Sequence, residues 1–141
     1  MNKSIVCGVL VRKEDKFLLV KKQPNIGPYP NMWTGPGGHV EEGETLDECV
    51  VRELYEETGI KAKNYQRLGF DDVVTENHSG EMVHMIALAY LADYAGGEVI
   101  FRDAELAEYR WVTYDEAQSL PLSPTAKYFF ELAHTFDPAH K

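Results

Sequence analysis

The sequence has only two cysteines, and their spacing fits neither a disulfide framework nor a zinc site. Cys7 and Cys49 are 42 residues apart, and each lies among apolar neighbours without a second ligand at metal-binding spacing. We therefore expect two reduced thiols that pack as small buried apolar side chains. Reduced thiols of this kind are typical of a reducing compartment.

Long apolar runs are also missing. No stretch approaches the roughly 18 residues that a membrane-spanning helix needs. The apolar segment Ile5–Val11 is too short for a signal peptide, lacks a small-residue cleavage site and runs directly into the charged residues 12–16. The sequence therefore predicts a cytoplasmic protein that has no membrane partner.

Basic residues are scarce, because 14 Lys and Arg stand against 23 Asp and Glu, which gives a net charge of −9. Proteins that hold extended nucleic acid present a basic surface, so the composition disfavours such a partner. A small anionic ligand would need its countercharge from a bound metal ion. The length of 141 residues, without repeats or a linker, predicts a single domain over residues 1–141.

Strand-like and helix-like segments follow one another in irregular order, which indicates an α+β sandwich rather than a doubly wound sheet. Two apolar runs joined by a short charged turn predict a hairpin near the N-terminus. A proline-rich loop, later strands and a C-terminal helix follow. The predicted strands are Ser4–Arg12, Lys16–Lys22, Trp33–Thr34, Gln66–Thr75, Met82–Tyr94, Val99–Phe101 and Tyr109–Val112; the loop is Gln23–Asn31, and the helical segments are Asp115–Ser119 and Ser123–His134.

The best-marked helix begins after Thr45 and ends before Gly59. Thr45 and Glu48 have the spacing of a capping box, and Gly59 is suited to the left-handed stop. Apolar residues recur at helical spacing through this segment. They are Leu46, Val50 and Leu54.

Three glutamates, Glu53, Glu56 and Glu57, occupy one turn of this helix. Like charges three or four residues apart cost roughly 0.2–0.5 kcal/mol per pair, so the cluster favours a bound cation over a merely solvated acidic face. Hard divalent cations prefer carboxylate and carbonyl oxygen. Glu53 and Glu57 share the arc of the apolar stripe, which predicts that the metal lies in a cleft against the body of the protein.

Residues 38–60 resemble the Nudix box, G-x5-E-x7-R-E-U-x-E-E-x-G-U, where U is aliphatic. The preceding Pro-Gly-Gly, the hairpin and the later phrase Glu108–Val112 are also similar to that family. The resemblance implies a Nudix fold, an α/β/α sandwich with a mixed central β-sheet. It also implies a hydrolase that splits a diphosphate linked to another moiety, usually a nucleoside. All nine specified positions match, and they are Gly38, Glu44, Arg52, Glu53, Leu54, Glu56, Glu57, Gly59 and Ile60.

The resemblance also implies a cofactor, Mg²⁺ or Mn²⁺, and a role for each box residue. Glu53 is the first choice for the general base that takes a proton from water. Arg52 would orient the acids, and Glu44 would brace the loop onto the helix. The implied catalytic residues are Glu53, Glu56, Glu57, Arg52 and Glu44, and the implied metal ligands are Glu53, Glu56, Glu57 and the carbonyl of Gly37.

Candidates for contact with substrate lie beside the glycine-rich segment 35–38, which is predicted to be a turn and is called the glycine turn. Trp33, with Met32 and Tyr29, flanks the proline loop and is suited either to stack on a base or to pack the loop against the sheet. Gly38 and His39 directly follow the turn, and an ordinary strand role is the alternative for His39. These residues are predicted from their position in the chain.

An acid outside the box commonly completes the metal site in this family. Glu98, Glu105 and Glu108 are the candidates, and Glu105 and Glu108 are favoured because they precede the strand that contains Trp111. An ordinary surface charge is the alternative for each. Further candidates to face substrate are Phe70, Asp71 and His84.

Subfamily patterns point away from several specialised substrates. The proline of some ADP-ribose hydrolases is replaced by Thr75, and the tyrosine of some dinucleoside polyphosphate hydrolases is replaced by Asn77 and His78. The tail signature of the NADH-cleaving branch is absent. We therefore expect the substrate to be a nucleoside triphosphate or a related small nucleotide.

Other functions remain open at this point. The alternatives are hydrolysis of a nucleotide sugar or another diphosphate, and a Nudix-fold binding or sensing module without turnover. Isomerisation of an isoprenoid diphosphate also occurs on this fold, but it relies on a cysteine, and both cysteines here are expected to be buried. Dimers are frequent in the family, so a homodimer is a further expectation.

Overall fold

A computed structural model describes residues 1–23, 31–77, 79–101 and 106–136. The predicted proline loop at 24–30, with Tyr29, lies outside this part of the chain, as do His78 and Glu105. The described elements, in chain order, are β1 Asn2–Lys13, β2 Lys16–Lys22, β3 Trp33–Thr34, β4 Gly37–His39, α1 Leu46–Thr58, β5 Lys61–Glu76, β6 Met82–Gly96, β7 Leu106–Thr113, α2 Tyr114–Ala117 and α3 Pro124–Phe136.

The described strands form one mixed sheet with the order β3-β2-β1-β6-β5. Strands β1 and β6 run parallel over eleven residue pairs, from Asn2–Val83 to Arg12–Asp93, and the other pairings are antiparallel. β4 pairs with the first half of β1, and β7 pairs with β2. The predicted mixed sheet is confirmed.

Helices cover the two faces of the sheet because side chains alternate along each strand. Val9, Leu18 and Tyr90 pack on one face against α1. Leu10 and Ala89 are the neighbours of Val9 and Tyr90 in the same strands, and they pack on the other face against α3. The result is the predicted α/β/α sandwich.

Helix α1 has the predicted start and stop. The Thr45 hydroxyl accepts the Glu48 N–H at 3.1 Å, and the Glu48 carboxylate accepts the Thr45 N–H at 3.0 Å. Gly59 ends the helix with a φ of 77°, a conformation that side chains other than glycine rarely adopt. Val50 and Leu54 are fully buried, as the apolar stripe predicts.

Other element bounds differ from those predicted. β5 begins at Lys61 rather than Gln66, because residues 61–63 already pair with β6. The register of this pairing shifts between Lys63 and Gln66, around Asn64, which has a positive φ. The segment 99–101 is not a strand. Helix α3 begins as predicted, since the Ser123 hydroxyl accepts the Ala126 N–H at 3.1 Å and Pro124 is its first residue.

Among the described residues, no helix is both long enough and apolar enough to cross a membrane.

Candidate active site

The acidic turn of α1 lies against the glycine strand β4. Glu57 is only 6% exposed, and its Oε1 accepts the backbone N–H of Gly37 at 2.9 Å. The Glu53 carboxylate lies against the Cα of Gly38. Both acids therefore face the body of the protein, as predicted from the helical arc.

This approach depends on the absence of side chains on β4. A Cβ on Gly38 would overlap the Glu53 carboxylate, and a Cβ on Gly37 would overlap the backbone of Cys7 and Gly8 in β1. The two glycines thus let β4 pair closely with β1 while the helix acids reach past it.

Arg52 links the acids of this region through one guanidinium group. Its Nε and Nη2 donate to the two oxygens of Glu44 at 2.5 and 2.8 Å, in a bidentate pair. Its Nη1 donates to Glu53 at 2.7 Å and to Glu56 at 3.0 Å, and Nη2 also reaches the carbonyl of His39 at 3.1 Å. Arg52 thereby offsets the repulsion that the sequence suggested for this turn.

The Arg52 guanidinium also changes the titration of its partner. Its hydrogen bonds lower the pKa of Glu44 to about 2 from an ordinary 4.5, with a further contribution from a backbone hydrogen bond with Glu41. The same pairing with Glu44 raises the pKa of Arg52. Glu44 is therefore ionised throughout the physiological range and holds the loop before α1 onto the helix.

A cleft of about 360 Å³ opens beside β4 on the face of the sheet that α3 covers. Glu53, Glu57 and the glycines form one wall, and Lys22 lies at the end of β2. Lys22 is the one lysine or arginine among the described residues that line the cleft. Apolar and hydroxyl side chains form the opposite wall, and they are Val6, Met85, Phe129, Ser123 and Thr125.

The donors present suit a hard divalent cation. Glu53 and Glu57 offer carboxylate oxygens at the cleft, and no cysteine or histidine nitrogen is needed to complete an oxygen-rich set. Across the described ranges, no three His, Cys, Asp or Glu side chains already form a closed ligand set. One reason is that Arg52 holds Glu53 and Glu56, and the Glu56 side chain is 58% exposed, outside the cleft lining.

Comparison with known proteins identifies the family of this chain. The family model of the NUDIX domain matches residues 1–133. The chain belongs to the Nudix family. It is 37% identical over 114 residues to the NAD-capped RNA hydrolase NudC of Chromobacterium violaceum, and 35% identical over 127 residues to that of Haemophilus influenzae. These matches cover 81% and 89% of the chain but only 39% and 45% of the two relatives, so the chain spans less than half their length.

Solved Nudix structures share the fold. The MutT NUDIX hydrolase of Burkholderia pseudomallei superposes with a TM-score of 0.81 at 25% identity, covering 94% of this chain and 98% of that one. The mMutator MutT protein of Bacillus halodurans gives 0.74 at 30% identity, covering 91% and 80%. The NUDIX domain of Shewanella oneidensis NrtR, solved with ADP ribose, gives 0.74 at 19% identity, covering 96% and 87%, and shows the likeness of fold alone.

Of the Nudix box residues, Gly38, Glu53 and Glu57 line the cleft, and Arg52 connects Glu53 to Glu44 and Glu56 outside it. Gly38 and His39 line the cleft. Trp33 is buried outside it, with Arg110 and Lys21 over its ring at 5.2 and 5.8 Å, which fits the packing interpretation.

The two described candidates for an additional acid lie away from the Nudix cleft. Glu98 is exposed, and Glu108 is exposed and pairs with Lys21 at 3.8 Å. Neither is among the residues that line the cleft. The third candidate, Glu105, lies outside the described residues.

Phe70 and His84 lie on the opposite face of the sheet from the cleft. Phe70 pairs with Leu88, which packs on the α1 side, and the same alternation places His84 on that side. His84 lies 2.6 Å from Asp72. Asp71 points toward α3, where it borders a small cavity next to Met85.

Sequence reasoning missed the far wall of the Nudix cleft. Lys22, Met85 and Phe129 come from β2, β6 and α3, and no short-range pattern connects them. Strand β2 ends in two lysines, Lys21 and Lys22, and no local signal shows which of them lines the cleft. Ser123 is the first residue of the predicted C-terminal helix, and the sequence gives no sign that it lines the cleft.

Proposed function

We propose that this chain is a metal-dependent pyrophosphohydrolase that cleaves a diphosphate linked to a nucleoside. The observation that carries the proposal is the placement of Glu53 and Glu57 on the same cleft as Lys22, across a strand of glycines. Carboxylates bind a divalent cation, and the cation and the lysine together neutralise a diphosphate. The 360 Å³ cleft has the size of a small-molecule site.

Glu53, Glu57, Glu56 and the Gly37 carbonyl are the groups that would hold Mg²⁺ or Mn²⁺. The bound cation supplies Lewis-acid stabilisation of the charge that develops on the phosphate oxygens. Lys22 binds a phosphate oxygen from the opposite side of the cleft. Glu56 would have to give up its contact with Arg52 to join the other ligands.

We infer that Glu53 acts as the general base, through a carboxylate oxygen that the cation would leave free. Arg52 holds its Oε1 at 2.7 Å and so fixes the carboxylate against Gly38. The carboxylate takes a proton from the attacking water, the water oxygen bonds to one phosphorus, and the bridging P–O bond breaks with its electron pair on the leaving phosphate. Arg52 acts as a positioning residue in this scheme.

The expected substrate is a nucleoside triphosphate or a related small nucleotide. Apolar side chains at Val6, Met85 and Phe129 offer a surface for a base, and Ser123 and Thr125 offer hydroxyls. The net charge of −9 disfavours contact along an extended nucleic acid.

A second candidate substrate is a dinucleotide diphosphate of the NAD type. The NudC relatives, named as NAD-capped RNA hydrolases, favour it at 35–37% identity. Nucleotide sugars and other diphosphates contain the same diphosphate linkage and are further candidate substrates. A binding module without turnover is disfavoured, because it would have little need of three glutamates in one helical turn.

The test is a panel of nucleoside triphosphates, NAD, ADP-ribose and nucleotide sugars with Mg²⁺ or Mn²⁺ at alkaline pH, run in ¹⁸O-labelled water. We expect metal-dependent cleavage that EDTA abolishes, with the label in one phosphate product. Mass analysis of the products then identifies the substrate class and the phosphorus attacked. Tight binding of a panel member by calorimetry without any turnover would contradict the proposal and favour the sensing module.

We also propose a cytoplasmic location, which the two free thiols support. The homodimer implied by the family resemblance stays a prediction. Light scattering on the purified protein measures the oligomeric state directly, and a mass of about 16.0 kDa, that of one chain, would contradict the homodimer.

A further inference from the structure

The two cysteines, 42 residues apart in sequence, are in contact in the fold. Cys7 lies on β1 and faces α1, and Cys49 lies on α1 and faces β1. Their Sγ atoms are 2.6 Å apart, and the two residues are 1% and 0% exposed. Packing of apolar side chains does not require two sulfurs to meet in this way.

We propose that Cys7 and Cys49 are a site of reversible disulfide formation that cross-links strand β1 to helix α1. The co-reactant is a small oxidant, either hydrogen peroxide or a low-molecular-weight disulfide. This inference does not depend on the hydrolase function proposed above.

The reaction balances with one molecule of peroxide for each disulfide. One thiol attacks peroxide, the O–O bond breaks, and a sulfenic acid and one water form. The second sulfur then bonds to the first and displaces its hydroxyl as a second water, which carries the remaining thiol proton. Two electrons pass from the sulfurs to the peroxide oxygens. A low-molecular-weight disulfide reacts instead by two exchanges: one cysteine sulfur attacks it and releases one small thiol, and the second cysteine sulfur then displaces the other small thiol from the mixed disulfide. A dithiol reductant reverses either reaction by exchange and is itself oxidised to a disulfide.

The surroundings permit the bond with little movement. A disulfide has an S–S distance of about 2.05 Å, so the sulfurs must approach by only about half an ångström. The other contacts of the thiols are weak, at 4.0 Å from Cys7 to the Leu46 carbonyl and at 3.6 Å from Cys49 to the His39 carbonyl. Loss of the thiol hydrogens therefore leaves no strong hydrogen bond unmade.

Burial controls the rate of the reaction. The two residues are 1% and 0% exposed, so an oxidant reaches the sulfurs only when the surrounding packing opens. We expect slow oxidation by peroxide and full oxidation after long equilibration in a glutathione redox buffer.

The cross-link joins the helix that carries Glu53 and Glu57 to the centre of the sheet. Closing a loop of 42 residues restricts the unfolded chain more than the folded one, so the oxidised protein resists unfolding better. We expect its Tm to exceed that of the reduced protein by several degrees.

The test is intact-mass analysis of the purified chain after equilibration in redox buffers, followed by alkylation in denaturant. Because the sequence has only two cysteines, a monomer that loses about 2 Da and takes up no alkylating agent must contain the Cys7–Cys49 bond. Cys7→Ala and Cys49→Ala are the matched controls and must show no redox-dependent Tm shift. A monomer with two free thiols across the whole redox series, or oxidation only to sulfinic acid or to disulfide-linked dimers, would overturn the proposal.

Discussion

At the residue scale, Arg52 determines how three neighbouring glutamates coexist. One guanidinium group meets Glu44, Glu53 and Glu56, and the buried Glu57 is held by a backbone N–H instead. The like-charge turn is therefore compensated before any metal binds.

Arg52→Lys tests this positioning role. A lysine keeps the charge but cannot make the bidentate contact with Glu44 while it holds Glu53, so we expect kcat to fall about 10–100-fold, the range for loss of a residue that orients metal ligands. The KM should change little, since Arg52 does not touch substrate. Arg67→Lys, at an exposed pair with Asp47, is the control and should keep full turnover.

Glu44→Gln tests the same network through pH. The folded-state pKa of Glu44 is about 2, below its ordinary 4.5, so its contribution to stability is complete above about pH 4.5 and is lost as the pH falls toward 2. Urea unfolding of both proteins should show a stability gap at pH 6 that narrows toward pH 2. A gap that stays constant over this range would show that ionised Glu44 is not the source.

At the scale of elements, the parts of the structure with local signals were predictable. The capping box at Thr45 and the stop at Gly59 each act within a few residues. The turn predicted for residues 35–38 was partly wrong, because Gly37 and Gly38 belong to strand β4. The approach of β4 to both β1 and α1 was not predictable, because it depends on pairing across some thirty residues. The far wall of the cleft, with Lys22 and Phe129, depends on contacts from still more distant elements.

Gly38→Ala tests whether β4 must be free of side chains. A methyl group there would meet the Glu53 carboxylate and displace it, so we expect turnover to fall at least about tenfold, given how steeply rate depends on the placement of catalytic groups. Gly43→Ala, in the segment between β4 and α1, is the control, since a Cβ at Gly43 meets nothing within 4 Å.

The control also separates activity from stability. Gly43 has a φ of 79°, so Gly43→Ala costs about 1–2 kcal/mol of stability while turnover is kept. If Gly38→Ala and Gly43→Ala lose activity equally, backbone strain explains the loss, and the contact between Gly38 and the Glu53 carboxylate is not essential.

At the scale of the whole molecule, the helix that carries the acids and the cleft that they line lie on opposite faces of the sheet. Helix α1 supplies the acids from one face, and the cleft that receives them opens on the other face, against α3. Ligand binding should therefore stabilise the whole sandwich and not one helix alone.

Thermal unfolding tests this coupling. At 100 times its Kd, a ligand that binds only the folded state adds about 2.7 kcal/mol, or about 5–10 °C in Tm for a domain of this size. We expect such a shift with Mg²⁺ plus a non-hydrolysable nucleotide, and a much smaller shift with either alone. An equal shift from the nucleotide without metal would contradict the role assigned to the carboxylates.

The most direct test of the central claim is the Mg²⁺ dependence of turnover in Glu57→Gln, with the substrate that the panel identifies. Even residues that only orient metal ligands contribute 10–100-fold, so removal of this carboxylate should lower kcat more than about 100-fold and raise the Mg²⁺ concentration needed for half-maximal rate. Glu98→Gln, an exposed glutamate outside the cleft, should match the wild type. Turnover by Glu57→Gln at the wild-type rate and the wild-type Mg²⁺ requirement would contradict the assignment of the site.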